Sequence, residues 1–440
     1  MFCMAIFQVR RSGFLCKSSW ESVSSDPSKT RSLQKVKAMP KLSIIIPVHN
    51  EEPSLRRCID SILSQSFKDL EIICVDDASS DSSADILQYY VDHEPRVHAT
   101  SFERRLGTVL ARKLALLDAR GEYIMFADAD DMLLPGACET AVRLIQENKC
   151  DIAQFLVDFE AEKKDSDAIE KFVRIFRVRE MESHGTNILY DCFVNHRLMH
   201  NLWNKIYRAE ICKKAVSAMP DIQLHHYTDM YLSFFILFFA ESYRSVITKP
   251  CYRYHFGGGV STKTPDGKQF RDLCAVSRTL PLMEKFLRDN NAYDTNVSVL
   301  DAIRSTLSRD MVNKLLTIPN LTREIISIAI ESWGGDIIFD FLSETGMFKY
   351  PCESRLSMVS DLIDQYKADQ RTIAKLQSDL AVAQAKMRKM SPRSSQVLRS
   401  PARATARLGH PSPVSSTIKQ EITSSPQRVQ FRFVQKLPKV

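Results

Sequence analysis

Several absences narrow what this 440-residue chain can do. Its eleven cysteines are scattered and form no CxxC pair. Zinc ribbons and a disulfide framework are therefore not expected, and reduced thiols in a cytosolic compartment are the default. Most cysteines should serve as small buried apolar residues. No run reaches the roughly 18 apolar residues of a membrane-spanning helix. The nearest, MYLSFFILFFA from Met230 to Ala240, reads as a buried core helix. The turn after the first apolar run, PVHNEEPS, has no glycine, which excludes the Gly-rich dinucleotide-binding turn, and a P-loop is missing too.

Positive charge is scarce in the middle of the chain. The formal net charge is +7, but residues 1–40 carry seven Lys/Arg against two Asp/Glu and residues 391–440 carry nine against one, so +5 and +8 at the ends leave −6 for residues 41–390. The basic character belongs to the ends and says little about the substrate of the core. Residues 1–20, with three basic and no acidic residues, weakly resemble a transit peptide. Residues 1–40 are expected to be a disordered extension without a catalytic role. Residues 391–440 turn to Ser, Pro, Arg and Gln and have too few apolar residues to pack. Such ends suit peripheral contact with an anionic membrane surface. Nucleic acid is not the expected partner.

Between the ends, strand and helix patterns alternate closely. KLSIIIPVHN (41–50) is a buried β-branched run, and 51–67 carries helical spacing at Leu55, Cys58, Ile59, Ile62 and Leu63. Strands over 70–81, 96–102 and 122–131 alternate with helices over 83–93, 107–119 and 136–148, with Gly121 as a C-cap. This pattern predicts an α/β fold with a doubly wound, mainly parallel sheet. A further strand is expected over 151–159 and mostly helical structure over 263–352. Residues 359–390 fit a heptad register with apolar or aromatic residues at nine of ten a and d positions, Asp369 being the exception. That predicts a short coiled coil over 353–390 and a homo-oligomer through it.

In doubly wound sheets ligands sit beyond the carboxyl ends of the strands. The first strand ends in His49, Asn50 and Glu51, the second in Asp76 and Asp77, and the fourth in Asp128, Asp130 and Asp131. Crowded carboxylates repel one another and call for a cation. Mg²⁺ or Mn²⁺, with oxygen ligands and a shared diphosphate, suits them. The plainer alternative is that Asp128 or Asp131 caps a helix N-terminus.

Read together, PVHNE, VDDASSD, the ARK triplet at 111–113 and GEYIMFADADD resemble the nucleotide-sugar domain of the family 2 glycosyltransferases, inverting enzymes of GT-A fold. The family pattern runs P-x-x-N-E, V-D-D-x-S-x-D, A-R-N and D-x-D-D in this order, over about 110 residues here. The resemblance implies a glycosyltransferase domain over 41–262, with a nucleotide-sugar half at 41–150 and an acceptor half at 151–262. It implies that Pro47, His49, Glu51, Asp76, Asp77, Arg112, Asp128 and Asp130 contact the nucleotide sugar, with a UDP-linked donor expected. It places the metal on Asp130 and Asp131, with His255 as a further ligand or phosphate contact. Trp203 and Lys205 would face the acceptor. Asp229 would be the catalytic base, although Thr228 stands where the family has Glu, and Lys113 stands where it often has Asn. YRYHFGGGVST (252–262) resembles the family's closing loop. The acceptor would be a glycan, a lipid-linked glycan or a protein. The competing reading is a nucleotide-sugar-binding scaffold without turnover. A nucleotidyltransferase is disfavoured because the Gly-rich phosphate loop is missing.

Overall fold

The computed structural model describes residues 39–161, 176–256, 267–318 and 322–334, with isolated residues at 170, 173–174, 368, 371 and 375. The basic extension up to residue 38, the glycines of the closing loop and the basic tail lie outside the described residues, as does the 353–390 coiled coil apart from three positions.

Four parallel strands form the first half of an eight-stranded sheet: β1 (Leu42–Val48), β2 (Leu70–Asp76), β3 (Val97–Ser101) and β4 (Tyr123–Phe126). The order across the sheet is β3-β2-β1-β4, continued by β9 (Lys205–Arg208), β6 (Ile152–Gln154), β10 (Ser242–Ser245) and β8 (Met181–His184). Of the seven neighbouring pairs, β4/β9, β9/β6 and β10/β8 are antiparallel and the rest parallel, so the expected mainly parallel sheet holds.

Successive strand residues point to opposite faces, and the apolar runs of β1, β2 and β4 feed two cores. Leu42, Ile44, Ile46, Ile72, Cys74, Tyr123 and Met125 join one core. It is covered by α1 (Leu55–Leu63), α2 (Ser83–His93) and α4 (Ala137–Glu147). Ile45, Ile73, Val75, Ile124 and Phe126 join the other. It is covered by α3 (Thr108–Asp118), α5 (Asn187–Phe193), α6 (Ala209–Ala218) and α7 (Thr228–Phe239). Strands buried on both faces need near-continuous apolar sequence, which SIIIPV and EIICV supply.

The Met230–Ala240 run is the buried helix α7, and no helix among the described residues is long and apolar enough to cross a membrane. The described part of the helical region is helical as expected: α8 (Gly267–Cys274), a 3₁₀ turn at Ala275–Arg278, α9 (Thr279–Asp289), α10 (Tyr293–Thr317) and α11 (Arg323–Trp333). It packs against α7 through Phe286, whose ring lies 4.8 Å from that of Phe235 and 4.7 Å from that of Phe238. All eight described cysteines are free thiols and buried, in keeping with their expected role as small apolar residues.

Three local expectations change. The fourth strand stops at Phe126, because Asp128 N turns to the Tyr252 hydroxyl (3.1 Å) and Asp131 N bonds back to Asp128 O (3.1 Å). The 151–159 strand splits after Phe155 into β6 and β7 (Val157–Ala161); β7 joins a second sheet with β11 (Tyr252–Phe256) and β5 (Met132–Leu133). Gly121 does not cap α3, which ends at Ala119. A Cβ at Gly121 would lie 2.6 Å from Ser43 N and 2.8 Å from Leu42 C, so close approach of two backbones requires glycine here.

Candidate functional site

A cavity of about 390 Å³ opens at the carboxyl ends of β1, β2 and β4. Pro47, His49 and Glu51 reach it from the end of β1, Asp77 from β2, and Asp128 and Asp130 from the turn after β4. Across from them come Arg112 of α3, Trp203 ahead of β9, and Thr228 and Asp229 at the start of α7. Segments as far apart in sequence as Pro47 and Asp229 thus meet in one cleft.

Local geometry fixes the β1 and β2 ends. Asn50 adopts a left-handed φ of 57°, and its Oδ1 accepts from Ser80 N at 2.7 Å. His49 Nδ1 donates to Asp77 O at 2.8 Å, which sets its tautomer and leaves Nε2 as the acceptor nitrogen. The Asp77 carboxylate accepts from Leu106 N (2.5 Å) and Gly107 N (2.9 Å), capping the approach to α3. Gly107 has φ 89°, and a Cβ there would lie 2.5 Å from Leu224 O. Asp76 is buried and faces away from the cavity lining; its Oδ1 accepts from Ser79 N at 3.1 Å, closing a turn. Asp76, expected as a nucleotide contact, is thus not among the residues that line the cavity.

The acidic wall carries more negative charge than it can hold comfortably. Burial, reinforced by Glu51, pushes Asp130 up to about 6. Burial and the nearby Asp128 and Asp81 likewise raise Glu51. Asp128 sits 2.7 Å from Arg112 Nη2, yet burial and the charges of Asp229 and Asp130 drive it up to about 7.

Arg112 explains that split. Its side chain is 3% exposed, and it bridges Asp128 (30% exposed) and Asp229 (22% exposed), the latter at 2.5 Å. One guanidinium serves two carboxylates, so one of the pair keeps its charge and the other titrates high. Asp229 is the one held down: Arg112 overcomes the effect of burial, helped by Leu202 N at 3.2 Å. Arg112 lines the cavity as expected of a nucleotide-sugar contact and also forms an ion-pair bridge between Asp128 and Asp229.

Asp131 and Lys205 depart furthest from expectation. Asp131 is 1% exposed, and its two oxygens accept from the Tyr252 hydroxyl and from His255 N, both at 2.7 Å. It neither caps a helix nor reaches the cavity; it ties the turn after β4 to β11. Lys205, expected to face the acceptor, is buried, with Nζ donating to Asn201 O, Asn201 Oδ1 and Asn204 Oδ1. Burial pushes its ammonium down to about 7. It orders the loop before β9 from inside. His255 lies on β11 outside the cavity lining, with Nδ1 3.6 Å from Glu160. Trp203 does line the cavity, stacked on Tyr252 at a centroid distance of 5.2 Å.

Sequence reading missed Arg105, His200, His225, His226 and Tyr254, all of which line the cavity. The two histidines of HHYTD stand beside the aspartate that drew attention to that segment. Burial lowers both, and drives His200 down to about 4, so His200 is neutral beside Asp229. Arg105 Nε stands 3.9 Å from Asp77 and remains half-exposed, an accessible cation at the cavity mouth.

Among the described residues no group of three His, Cys, Asp or Glu side chains closes into a metal cage. The acidic wall nevertheless suits a hard divalent ion that takes one or two carboxylates and completes its shell with water and phosphate oxygens. Asp130, raised by burial and Glu51, and Asp128, raised by burial, Asp229 and Asp130, are the carboxylates whose repulsion such an ion would offset.

A family model described as Glycosyl transferase family 2 matches residues 43–229. EpsH, a putative glycosyltransferase of Bacillus subtilis (strain 168), is 29% identical over 267 residues, which is 60% of this chain and 73% of EpsH. YibD, an uncharacterized glycosyltransferase of Escherichia coli (strain K12), is 36% identical over 119 residues, 27% of this chain and 34% of YibD. Beyond EpsH, the chain spans 18% to 52% of the lengths of seven further curated relatives. Among solved structures, S. aureus TarS 1–349 in complex with UDP-GlcNAc overlaps 69% of this chain and 92% of its own, with a TM-score of 0.43 and 16% identity.

Proposed function

The chain belongs to the family 2 glycosyltransferases through its domain at residues 43–229, and from that premise we propose that it transfers a sugar, with inversion, from a UDP-linked donor to an acceptor hydroxyl. One observation carries the reading. The acidic wall of Glu51, Asp128 and Asp130 and the carboxylate of Asp229 face one 390 Å³ cavity, which has the size of a small-ligand site.

Each residue then has a task. Pro47, His49 and Asp77 form the end of the cavity suited to the nucleotide, and Arg105 is the accessible cation there. Asp130, with Asp128 beside it, would hold Mn²⁺ or Mg²⁺, which when bound neutralises charge on the diphosphate. Asp229 accepts the acceptor's hydroxyl proton. The acceptor oxygen bonds to the anomeric carbon as the bond from that carbon to the diphosphate breaks, and the electron pair leaves with the nucleoside diphosphate. Arg112 keeps Asp229 ionised and aligned, while the Trp203 ring walls the acceptor side and excludes water.

One observation favours the binding-only alternative: both Asp229 oxygens already accept protein hydrogen bonds, from Arg112 and from Leu202 N. A thermal-shift screen of nucleotide sugars with Mn²⁺, followed by a hydrolysis assay on the hit, separates the two. Binding of a donor raises Tm by mass action. Stabilisation with release of free sugar supports the enzyme, stabilisation without release supports the scaffold, and no stabilisation by any nucleotide sugar sinks both. Asp130→Ala should abolish the metal-dependent part of the shift.

A further inference from the structure

A second cavity, of about 300 Å³, lies next to the first. Arg174, Arg177, Arg179 and Arg197 line it, and Glu180 is its sole acid. Four positive charges against one negative leave +3 on a patch whose surrounding segment, residues 41–390, carries −6.

Several arginines elsewhere on this surface are paired with a carboxylate. Arg96 meets Glu94 at 2.8 Å, Arg253 meets Asp158 at 2.9 Å, and Arg288 meets Glu284 at 2.8 Å. Arg174, Arg177 and Arg179, by contrast, have no carboxylate partner among the described residues. Arg197 contacts Asp191 through Nη1 alone, at 3.2 Å to each oxygen, and its side chain stays 53% exposed. Clustered guanidiniums repel one another, and a phosphate, which guanidinium grips in bidentate fashion, relieves that repulsion.

The position of this cavity gives it a purpose. Phe176 lines it, and its ring lies 5.4 Å from that of Trp203, which lines the first cavity. The two cavities therefore adjoin at the contact of these two rings. An acceptor that reaches Asp229 past Trp203 brings its neighbouring groups toward the arginines.

We infer that the arginine-lined cavity binds a phosphate group carried by the acceptor. The inference rests on the reading of the first cavity as the transfer site, because that reading supplies the acceptor. The donor diphosphate would then be held by the acidic wall and its metal, and the acceptor phosphate by the guanidiniums of the second cavity.

Titration calorimetry with inorganic pyrophosphate, on the full chain and without divalent metal, tests this directly. Arg177 and Arg179 are exposed, so the double variant Arg177→Ala/Arg179→Ala should fold normally. It should bind pyrophosphate about tenfold more weakly than wild type. Asp130→Ala should bind it unchanged, and the double variant should keep UDP binding in Mn²⁺. Co-sedimentation with phosphatidylcholine vesicles, with and without phosphatidic acid, distinguishes the phosphate's source. Arginine-dependent capture by the acidic vesicles assigns a lipid phosphate, and pyrophosphate binding without capture assigns a soluble acceptor. If wild type binds neither probe, or the double variant binds both as wild type does, the inference falls. If pyrophosphate binding depends on the arginines but no nucleotide sugar binds at all, the anion site stands and the reading of the donor cavity fails.

Discussion

Removing Arg112 should destabilise the chain, and the loss should depend on pH with a defined sign. The side chain is 3% exposed and is the bridge between Asp128 at 2.7 Å and Asp229 at 2.5 Å. Arg112→Met keeps most of the packing volume and leaves two neighbouring carboxylates without their cation. Breaking a fully buried ion pair from one side costs about 3–5 kcal/mol. Both carboxylates open partly to the cavity, so the lower end, about 3 kcal/mol, is the fair expectation. At ~2–4 °C per kcal/mol that lowers Tm by roughly 6–12 °C.

In the wild type Arg112 holds Asp229 below its ordinary value, so the pair contributes stability above the unfolded carboxylate range and loses it in acid. In the variant, burial is opposed mainly by the Leu202 N hydrogen bond, and Asp229 rises above its unfolded value. The folded variant then binds more protons than the unfolded chain, and its stability rises as pH falls. Urea denaturation of both proteins at pH 8 and pH 5 should therefore show a larger gap at pH 8. Adding Asp128→Asn to the variant should recover at least about 1 kcal/mol, because the two sites are in contact and do not add. A gap below about 1 kcal/mol, or one equal at both pH values, would refute the view of Arg112 as the counter-ion of a shared buried pair.

Three further outcomes follow from the geometry. Asp229→Asn should lower sugar transfer by about 10²-fold or more while leaving the donor-induced thermal shift intact; a variant that transfers normally would remove Asp229 from the chemistry. Gly121→Ala should cost about 1–3 kcal/mol, because the new methyl group would meet the backbone at Ser43 and Leu42 as well as the Ser43 hydroxyl; an unchanged denaturation midpoint would show that β1 and the α3–β4 turn can separate freely. Tyr252→Phe removes the hydroxyl that joins Asp128 N to Asp131 Oδ2, so a loss of about 1–3 kcal/mol is expected, with weaker Mn²⁺-dependent donor binding. If stability falls while donor binding holds, the turn after β4 does not need that tie to present Asp130.

Sequence reading was strongest where a local rule has one physical answer. The β-branched runs at 42–48 and 70–76 could only be strands buried on both faces, and the helices between them followed from apolar spacing. Strands in that order bring Glu51, Asp77, Asp128 and Asp130 to one sheet edge whatever the details of packing, and all four line the cavity. The motifs did less well at saying which way a side chain turns. DADD gives no sign that Asp131 turns from the cavity toward Tyr252, because the partner sits 121 residues later on a strand of another sheet. Lys205 was expected at the acceptor from the family resemblance of its segment, yet its strand lies between β4 and β6 and carries it inward.

The sequence alone determined the alternating α/β order, the strand ends that carry the acids, and the likeness to one enzyme family. These depend on near neighbours and on a period of two or of 3.6 residues. Tertiary structure decided which acids stay in the cavity, that Arg112 serves Asp128 and Asp229 at once, and that four arginines gather in a second cavity beside Trp203. Those outcomes depend on which charges come within a few ångströms of one another out of water. Only the folded chain sets both the distance and the dielectric.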